Sequence, residues 1–313
     1  MGHAIPQVIL CAFAGIWGLL VLASVIVFAL GRFNPQKDYR ELALRTRSWW
    51  IMVAIFTVIF MTSRTAALCF LGFISFLALK EFFSMIPTRR TDRRVLLWAY
   101  LAIPLQYYWA GIAWYGMFIV FIPIYMFILS ALRMVMTQKT DGFLRAAGTI
   151  HWALMTTVFF LSHTAYLLML SARPASPAGG EGLLLFLLIL TELNDVFQYV
   201  GGKLMGKHKI TPVVSPKKTW EGFISGIVAT MLVSLIAAPY LTPFDHVHAL
   251  GAGLLLAVSG FVGDVILSAI KRDIGVKDSG ALIPGHGGIL DRIDSLMFTA
   301  PQFFYFVCYF YGY

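Results

Sequence analysis

Residues Val8–Leu30 read VILCAFAGIWGLLVLASVIVFAL, 23 residues without a charge. About 20 apolar residues suffice for an α-helix to cross a bilayer. No basic segment precedes this run and no small-residue cleavage site follows it, so it is expected as a first membrane helix rather than a leader peptide. Similar runs recur along the chain. They are expected at Trp49–Met61, Ala66–Leu79, Val95–Trp114, Tyr115–Leu132, His151–Leu170, Leu183–Val200, Gly222–Tyr240, Ala249–Ile270 and Leu296–Tyr311. That makes about ten spans, with eight or nine also compatible. The fold class expected is therefore all-α, polytopic and membrane-integral. With 59% hydrophobic and 12% charged residues out of 313, a soluble enzyme of two domains is excluded.

The charges between the spans are as informative as the spans. Placing the N-terminus outside puts all but Arg64 and Arg173 of the 24 Lys/Arg on one face, and the positive-inside rule makes that face cytoplasmic. The net charge of +9 then reflects topology and contact with anionic lipid, and no nucleic-acid partner is expected. Trp49 and Trp50 follow a basic stretch and suit an interfacial belt. Cys11, Cys69 and Cys308 lie in apolar runs without pairing or metal spacing and read as packing residues. Ser171–Gly182, SARPASPAGGEG, is the clearest break in the chain. The expected organisation is an N-terminal part, 1–150, that packs and admits lipid, and a C-terminal part, 151–313, that carries the chemistry.

That chemistry concentrates in Gly263–Ser295, GDVILSAIKRDIGVKDSGALIPGHGGILDRIDS. Asp264, Ser268 and Lys271 fall on one helical face, which offers a carboxylate, a hydroxyl and a cation. Pro284–Gly288 cannot hold a regular helix; its glycines permit close backbone approach, and free N–H groups there suit phosphate oxygens. Asp291 and Asp294 follow at i,i+3 spacing. Hard carboxylate oxygens beside a phosphate cradle suit Mg²⁺, which takes one or two protein carboxylates plus substrate phosphates. The plainer reading is a solvated, salt-bridged loop between two helices. Three aspartates, a glycine-rich turn and a basic cluster together favour a metal–polyphosphate site.

The run Ser268-x-x-Lys271-Arg272-x4-Lys277-Asp278-x-Gly280-x2-Ile283-Pro284-x-His286-Gly287-Gly288-x2-Asp291-Arg292-x-Asp294 resembles the signature of the CDP-diacylglycerol synthases, the phosphatidate cytidylyltransferases. Val214–Gly222, VSPKKTWEG, resembles the family's second block. The resemblance extends from about Leu190 to the C-terminus. It implies that CTP and phosphatidate react to give CDP-diacylglycerol and pyrophosphate, with Mg²⁺ or Mn²⁺ and a monovalent cation such as K⁺. By similarity, Asp264 and Asp291 would hold the divalent metal, with Glu192, Asp195 and Asp294 as further candidate ligands. Lys271 and Arg272 would offset phosphate charge, and His286 would donate a hydrogen bond or carry a proton. Lys277 and Asp278 would orient that cluster, and the backbone of Gly287 and Gly288 would approach phosphate. A homodimer is expected from the family, and a bacterial inner membrane as the location.

Further upstream, Glu192, Asp195 and Tyr199 share one face of an apolar helix, where carboxylates are costly unless paired or metal-bound. Asp195-x3-Tyr199 is similar to a family pattern, but Gln198 stands where a small residue is usual, which bears on the lipid acceptor. Gly201-x4-Gly206-Lys207 almost spells a phosphate-binding P-loop. His208 replaces the required Ser/Thr and no strand precedes it, so the match is rejected. Ser215, Lys217 and Lys218 are expected at a helix N-terminus, an arrangement that binds anions. In the N-terminal part, Glu81 at a helix end is a candidate site residue, but the favoured reading is a juxtamembrane ion pair with Lys80; His163 is read as a buried polar contact rather than a ligand. Two alternatives remain from the sequence: a related cytidylyltransferase with another lipid phosphate as acceptor, and an ion-coupled transporter relaying cations through Glu192 and Asp195. Against the transporter, no inverted repeat is visible and the polar residues cluster at cytoplasmic helix ends.

Overall fold

The computed structural model describes residues 6–33, 39–86, 93–170, 177–280, 282–283 and 287–312, with the side chain of Glu41 excepted. His286, Pro284, Gly285 and Arg173 lie outside these. Among the described residues the chain forms ten long helices: α1 (Gln7–Phe33), α2 (Arg40–Thr62), α3 (Arg64–Met85), α4 (Arg93–Gly111), α5 (Tyr115–Val135), α6 (Phe143–Met169), α7 (Gly179–Met205), α8 (Trp220–Leu241), α9 (His246–Ile274) and α10 (Leu290–Tyr311). Eight are long and apolar enough to cross a membrane by length and composition. The other two are α4, rich in Tyr and Trp, and α10, which begins with Asp291, Arg292 and Asp294. The protein is an all-α polytopic membrane protein.

The helices start earlier or end later than the apolar runs alone indicate. Membrane hydropathy marks only the lipid-facing part, whereas backbone hydrogen bonding carries the helix on into the interface. The largest correction is α6. It begins at Phe143 rather than His151. Pro123 sits in a wider, π-helical turn, Phe121–Met126, inside α5, which accommodates its missing N–H. The end of the expected break at Ser171–Gly182 is also helical: Gly179–Gly182 form the buried first turn of α7. Gly180 and Gly182 lie directly against the carbonyls of Leu167, Leu168 and Leu241, so close backbone packing overrides their low helix propensity.

Small and polar residues bring the C-terminal helices together. Gly201 and Gly202 of α7 face Gly222 of α8, where a Cβ would come within 2.7 Å of the Gln198 carbonyl oxygen. Asn194 is fully buried; its Nδ2 donates to Ala257 O at 3.3 Å and its Oδ1 accepts from Thr230 Oγ1 at 3.3 Å. One side chain thus links α7, α8 and α9. Thr191 and Thr299 hydroxyls meet at 3.1 Å and link α7 to α10. In an apolar surrounding such contacts contribute roughly 0.6–2 kcal/mol each. Exposed Leu19, Phe28, Val58 and Leu232 lie on the outer surface, as lipid-facing side chains should.

Two long-range contacts fix which helix ends lie together. At the start of α3, Arg64 Nε and Nη2 donate to Glu181 Oε1 and Oε2 at 2.6 and 3.1 Å, joining the start of α7. At the other end of α3, Glu81 meets the loop between α9 and α10. The sequence-based topology places Arg64 outside and the α9–α10 loop inside. Both contacts satisfy that arrangement. Glu181 is 6% exposed and Arg64 38%. Glu181→Ala is expected to destabilise the protein by roughly 2–3 kcal/mol, less than for a fully buried pair because Arg64 is partly solvated. Thermal unfolding of the purified protein in detergent checks this; an unchanged midpoint would discount the pair.

Candidate active site

Ser215–Thr219 does lead into a helix, as expected, but as the second strand of a β-hairpin. Strand β1 (Lys209–Thr211) pairs antiparallel with β2 (Ser215–Thr219), with Lys209 opposite Thr219 and Thr211 opposite Ser215. The α8 helix begins only at Trp220, and Thr219 caps it by accepting the Gly222 N–H at 3.2 Å. The end of that helix is thus satisfied by its own cap. The lysines reach the site from a strand. Glu221 accepts the backbone N–H groups of Lys207 and His208 and contacts His208 Nδ1 at 2.6 Å, which holds the hairpin's entry to α8. Gly201 and Gly202, the start of the rejected P-loop match, belong to α7.

Between the hairpin and helices α7–α9 lies a cleft of about 490 Å³. Its lining includes Asp195, Tyr199, Ser215, Lys217, Lys218 and Asp264, six of the residues singled out in the sequence. Lys218 Nζ lies 2.5 Å from Asp264 Oδ2 and 4.6 Å from the centre of the Phe261 ring. Ser268 Oγ donates to Asp264 Oδ1 at 3.2 Å, so the expected shared face of α9 is real. Ser295 of α10 donates to both oxygens of Asp195, at 3.2 and 3.0 Å. Lys203 Nζ sits 5.9 Å from the ring centre of the exposed Tyr199. Gln198 packs against Gly226, which has no side chain to exclude it.

The carboxylates separate into two groups. Asp195, Asp264 and Asp294 repel one another across α7, α9 and α10, and Glu192 repels Asp195. Arg292 attracts both Glu192 and Asp195. Asp291 turns the other way. Its Oδ1 accepts from Lys271 Nζ at 2.8 Å, and its Oδ2 accepts the N–H groups of Ser279 and Gly288 at 2.9 and 3.0 Å. Although i,i+3 spacing pairs Asp291 with Asp294, it is Asp294 that joins Asp264; Asp291 sits at the start of the helix and grips the preceding loop. Burial alone would raise the Asp291 carboxyl, but Lys271 and the two N–H donors outweigh it and hold the group below its ordinary range. Among the described residues no three His, Cys, Asp or Glu side chains converge tightly enough to hold a metal ion as a set.

The glycines of the motif have separate tasks. Gly287 has φ of +81°, pairs with Ile283 as an isolated bridge, and leaves the space that Asp291 Oδ2 occupies. Gly288 leaves room for Glu81. Lys277 and Asp278 are exposed on the loop, and Arg272 Nε donates to Val214 O at 3.4 Å, tying α9 to the hairpin turn. His286 falls outside the described residues.

Glu81 is the residue the sequence reading misplaced. It is not oriented to Lys80: neighbours i and i+1 diverge on a helix, and Lys80 is exposed. Its Oε1 accepts from Ser279 Oγ and its Oε2 from Leu290 N–H, both at 3.0 Å. The signal was present as a lone carboxylate at the end of an apolar run. Its partners, roughly 200 residues away, were not legible.

The sequence model of the cytidylyltransferase family matches residues 43–310. A protein of Escherichia coli K12, called uncharacterized protein YnbB, is 48% identical over 297 residues, 95% of this chain and 97% of its own length. A phosphatidate cytidylyltransferase of Staphylococcus aureus strain COL is 49% identical over 125 residues, and one of Staphylococcus epidermidis strain RP62A is 46% identical over 124. Each of these two matches covers 39% of this chain and 48% of the relative, so the chain spans about half the length of those relatives.

Proposed function

The chain belongs to the cytidylyltransferase family, and from that premise we propose that it transfers a cytidylyl group from CTP to phosphatidate. The products are CDP-diacylglycerol and pyrophosphate, made at the cytoplasmic face of a bacterial inner membrane. The observation that carries this reading is the cleft itself. It joins the lysines of the β-hairpin to the carboxylates of α7 and α9 at one end of the membrane helices, the end that the positive-inside rule assigns to the cytoplasm. A triphosphate enters such a cleft from water, while a lipid phosphate reaches it from the bilayer.

In this reaction a phosphate oxygen of the lipid attacks the α-phosphorus of CTP. A P–O bond forms, and the bond to the β-phosphate oxygen breaks, with pyrophosphate leaving with the electron pair. No protein nucleophile is required; positioning and charge neutralisation supply the catalysis. Lys217 and Lys218 would meet the triphosphate, and Ser215 would donate a hydrogen bond beside them. Asp264 and Asp294 are the best-placed divalent ligands, with Asp195 near, because their mutual repulsion is what a cation relieves. Mg²⁺ or Mn²⁺ bound there would neutralise phosphate charge. Two carboxylates suffice, since Mg²⁺ completes its shell with substrate phosphates and water. Asp291 and Lys271 would shape the loop around this centre.

A second reading keeps the nucleotide chemistry and changes the acceptor to another lipid phosphate. Gln198, packed at the cleft where the family pattern has a small residue, favours it. The test is to incubate the detergent-purified protein with phosphatidate, Mg²⁺ and radiolabelled CTP. A labelled lipid that disappears with EDTA is the expected result. CTP binding without labelled lipid would move the acceptor away from phosphatidate; no CTP binding would overturn the function.

A further inference from the structure

We propose that Glu81 of α3 is a positioning residue for the transfer site, acting from the N-terminal half of the chain through the α9–α10 loop. The inference rests on the transferase reading for its kinetic consequences, and on geometry alone for its structural ones.

The α10 helix starts at Leu290, and its N-cap, Ile289, has no side chain able to accept the free N–H groups of the first turn. Glu81 supplies the missing acceptor from a different helix. Its Oε2 takes the Leu290 N–H, and a carboxylate at that position also interacts favourably with the helix dipole. Its Oε1 takes the Ser279 hydroxyl, while the Ser279 N–H goes to Asp291 Oδ2. Ser279 is 5% exposed and is therefore gripped on both sides by carboxylates, one from α3 and one from α10. Gly288 completes the clasp. Its N–H also goes to Asp291 Oδ2, and a Cβ there would collide with the Glu81 carboxyl group and Ser279 Oγ. Gly280 stands against Glu81 in the same way.

The consequence runs through Asp291. Its two oxygens are oriented by Ser279, Gly288 and Lys271, and Lys271 lies seven residues after Asp264 on α9. Glu81 thereby sets the first turn of α10, which carries Asp291, Arg292 and Asp294, against the helix that carries Asp264. A clasp that merely joined two helices would have no reason to spend its bonds on the motif loop and on the helix start bearing those aspartates.

The test compares wild type, Glu81→Gln, Glu81→Ala, Gly288→Ala and the double variant Glu81→Ala/Gly288→Ala, all as full chains in detergent. Glu81→Gln should lower kcat on the order of 10- to 100-fold, the worth of one or two charge-assisted hydrogen bonds, with KM for CTP and the thermal midpoint little changed. Shortening Glu81 removes the closest clash of the Gly288→Ala methyl and leaves the one with Ser279 Oγ, so the double variant should lose less than the sum of the two single losses. Wild-type turnover in Glu81→Gln and Glu81→Ala, strictly additive losses in the double variant, or a kcat loss that tracks loss of folded protein would each overturn the proposal. Hydrogen exchange separates this from the function itself. The amides of Ser279, Gly288 and Leu290 should exchange faster in Glu81→Gln. If wild type neither labels lipid nor binds CTP, the transferase reading fails while this measurement still tests the clasp, and unchanged exchange overturns it.

Discussion

Asp264→Asn is expected to lower cytidylyl transfer by about a thousandfold or more while the protein stays folded. The substitution keeps the side-chain shape and removes one negative charge from the centre of the cleft. Three things follow. Lys218, 2.5 Å away, loses its counter-charge and is no longer held between Asp264 and the Phe261 ring. The repulsion between Asp264 and Asp294, which a divalent cation would relieve under the proposed function, falls. The cations that would balance the negative charge on departing pyrophosphate, Lys218 and a divalent metal, are then held less firmly. Loss of a single preorganised electrostatic group commonly costs 10²–10³ in rate, and a group that also holds a metal costs more. The fold should tolerate the change: the Asp264 side chain is 28% exposed and Asn can still accept from Ser268. Single-turnover transfer of radiolabelled CTP, with a thermal-unfolding control, decides the matter. Normal turnover would sink the placement of Asp264 at the reacting phosphates.

Asp291→Ala is expected to act differently, through structure first. It deletes the acceptor for Lys271 Nζ and for the N–H groups of Ser279 and Gly288 together. The two charged side chains are only 9% and 12% exposed, so the variant strands the Lys271 ammonium in a largely buried setting. Breaking one partner of a buried pair costs about 3–5 kcal/mol. The thermal midpoint should therefore drop by several degrees, hydrogen exchange across the α9–α10 loop should quicken, and transfer should be lost. The same bonds set the pH dependence. The Asp291 carboxyl is held below its ordinary value in the folded protein, so its contribution is fully present above the usual carboxylate range and is lost as pH falls through the lowered value. In wild type the loop should loosen on that acid side and in Asp291→Ala it should show no such step. An unchanged midpoint in the variant would show that the loop is held by other contacts.

The two aspartates illustrate how far the sequence carried. The motif identified both, and i,i+3 spacing put them on one helical face. Placement at the first turn of α10 then divided them, Asp291 back toward its own loop and Asp294 across to Asp264 and Asp195. Spacing rules describe a helix interior, and they fail at an end where free backbone N–H groups draw a carboxylate out of line. The hairpin at Lys209–Thr219 was missed for a related reason. KITPVVSPKKT has short, lysine-rich strands with little alternation, and only the pairing of the two strands makes them strands. His163 was read correctly as a buried polar contact: its Nδ1 lies 2.8 Å from Phe159 O among packed rings.

The membrane architecture and the family were legible along the chain, because hydropathy and motif spacing are local quantities that add up residue by residue. The partners of the charges were not. Glu81 with Ser279 and Leu290, Arg64 with Glu181, and Lys218 with Asp264 join residues 46 to 209 positions apart. In a low-dielectric interior a buried charge takes whichever counter-charge or donor the packed helices place within about 3 Å. That choice is made by the geometry of helix packing, and so only the tertiary structure decides it.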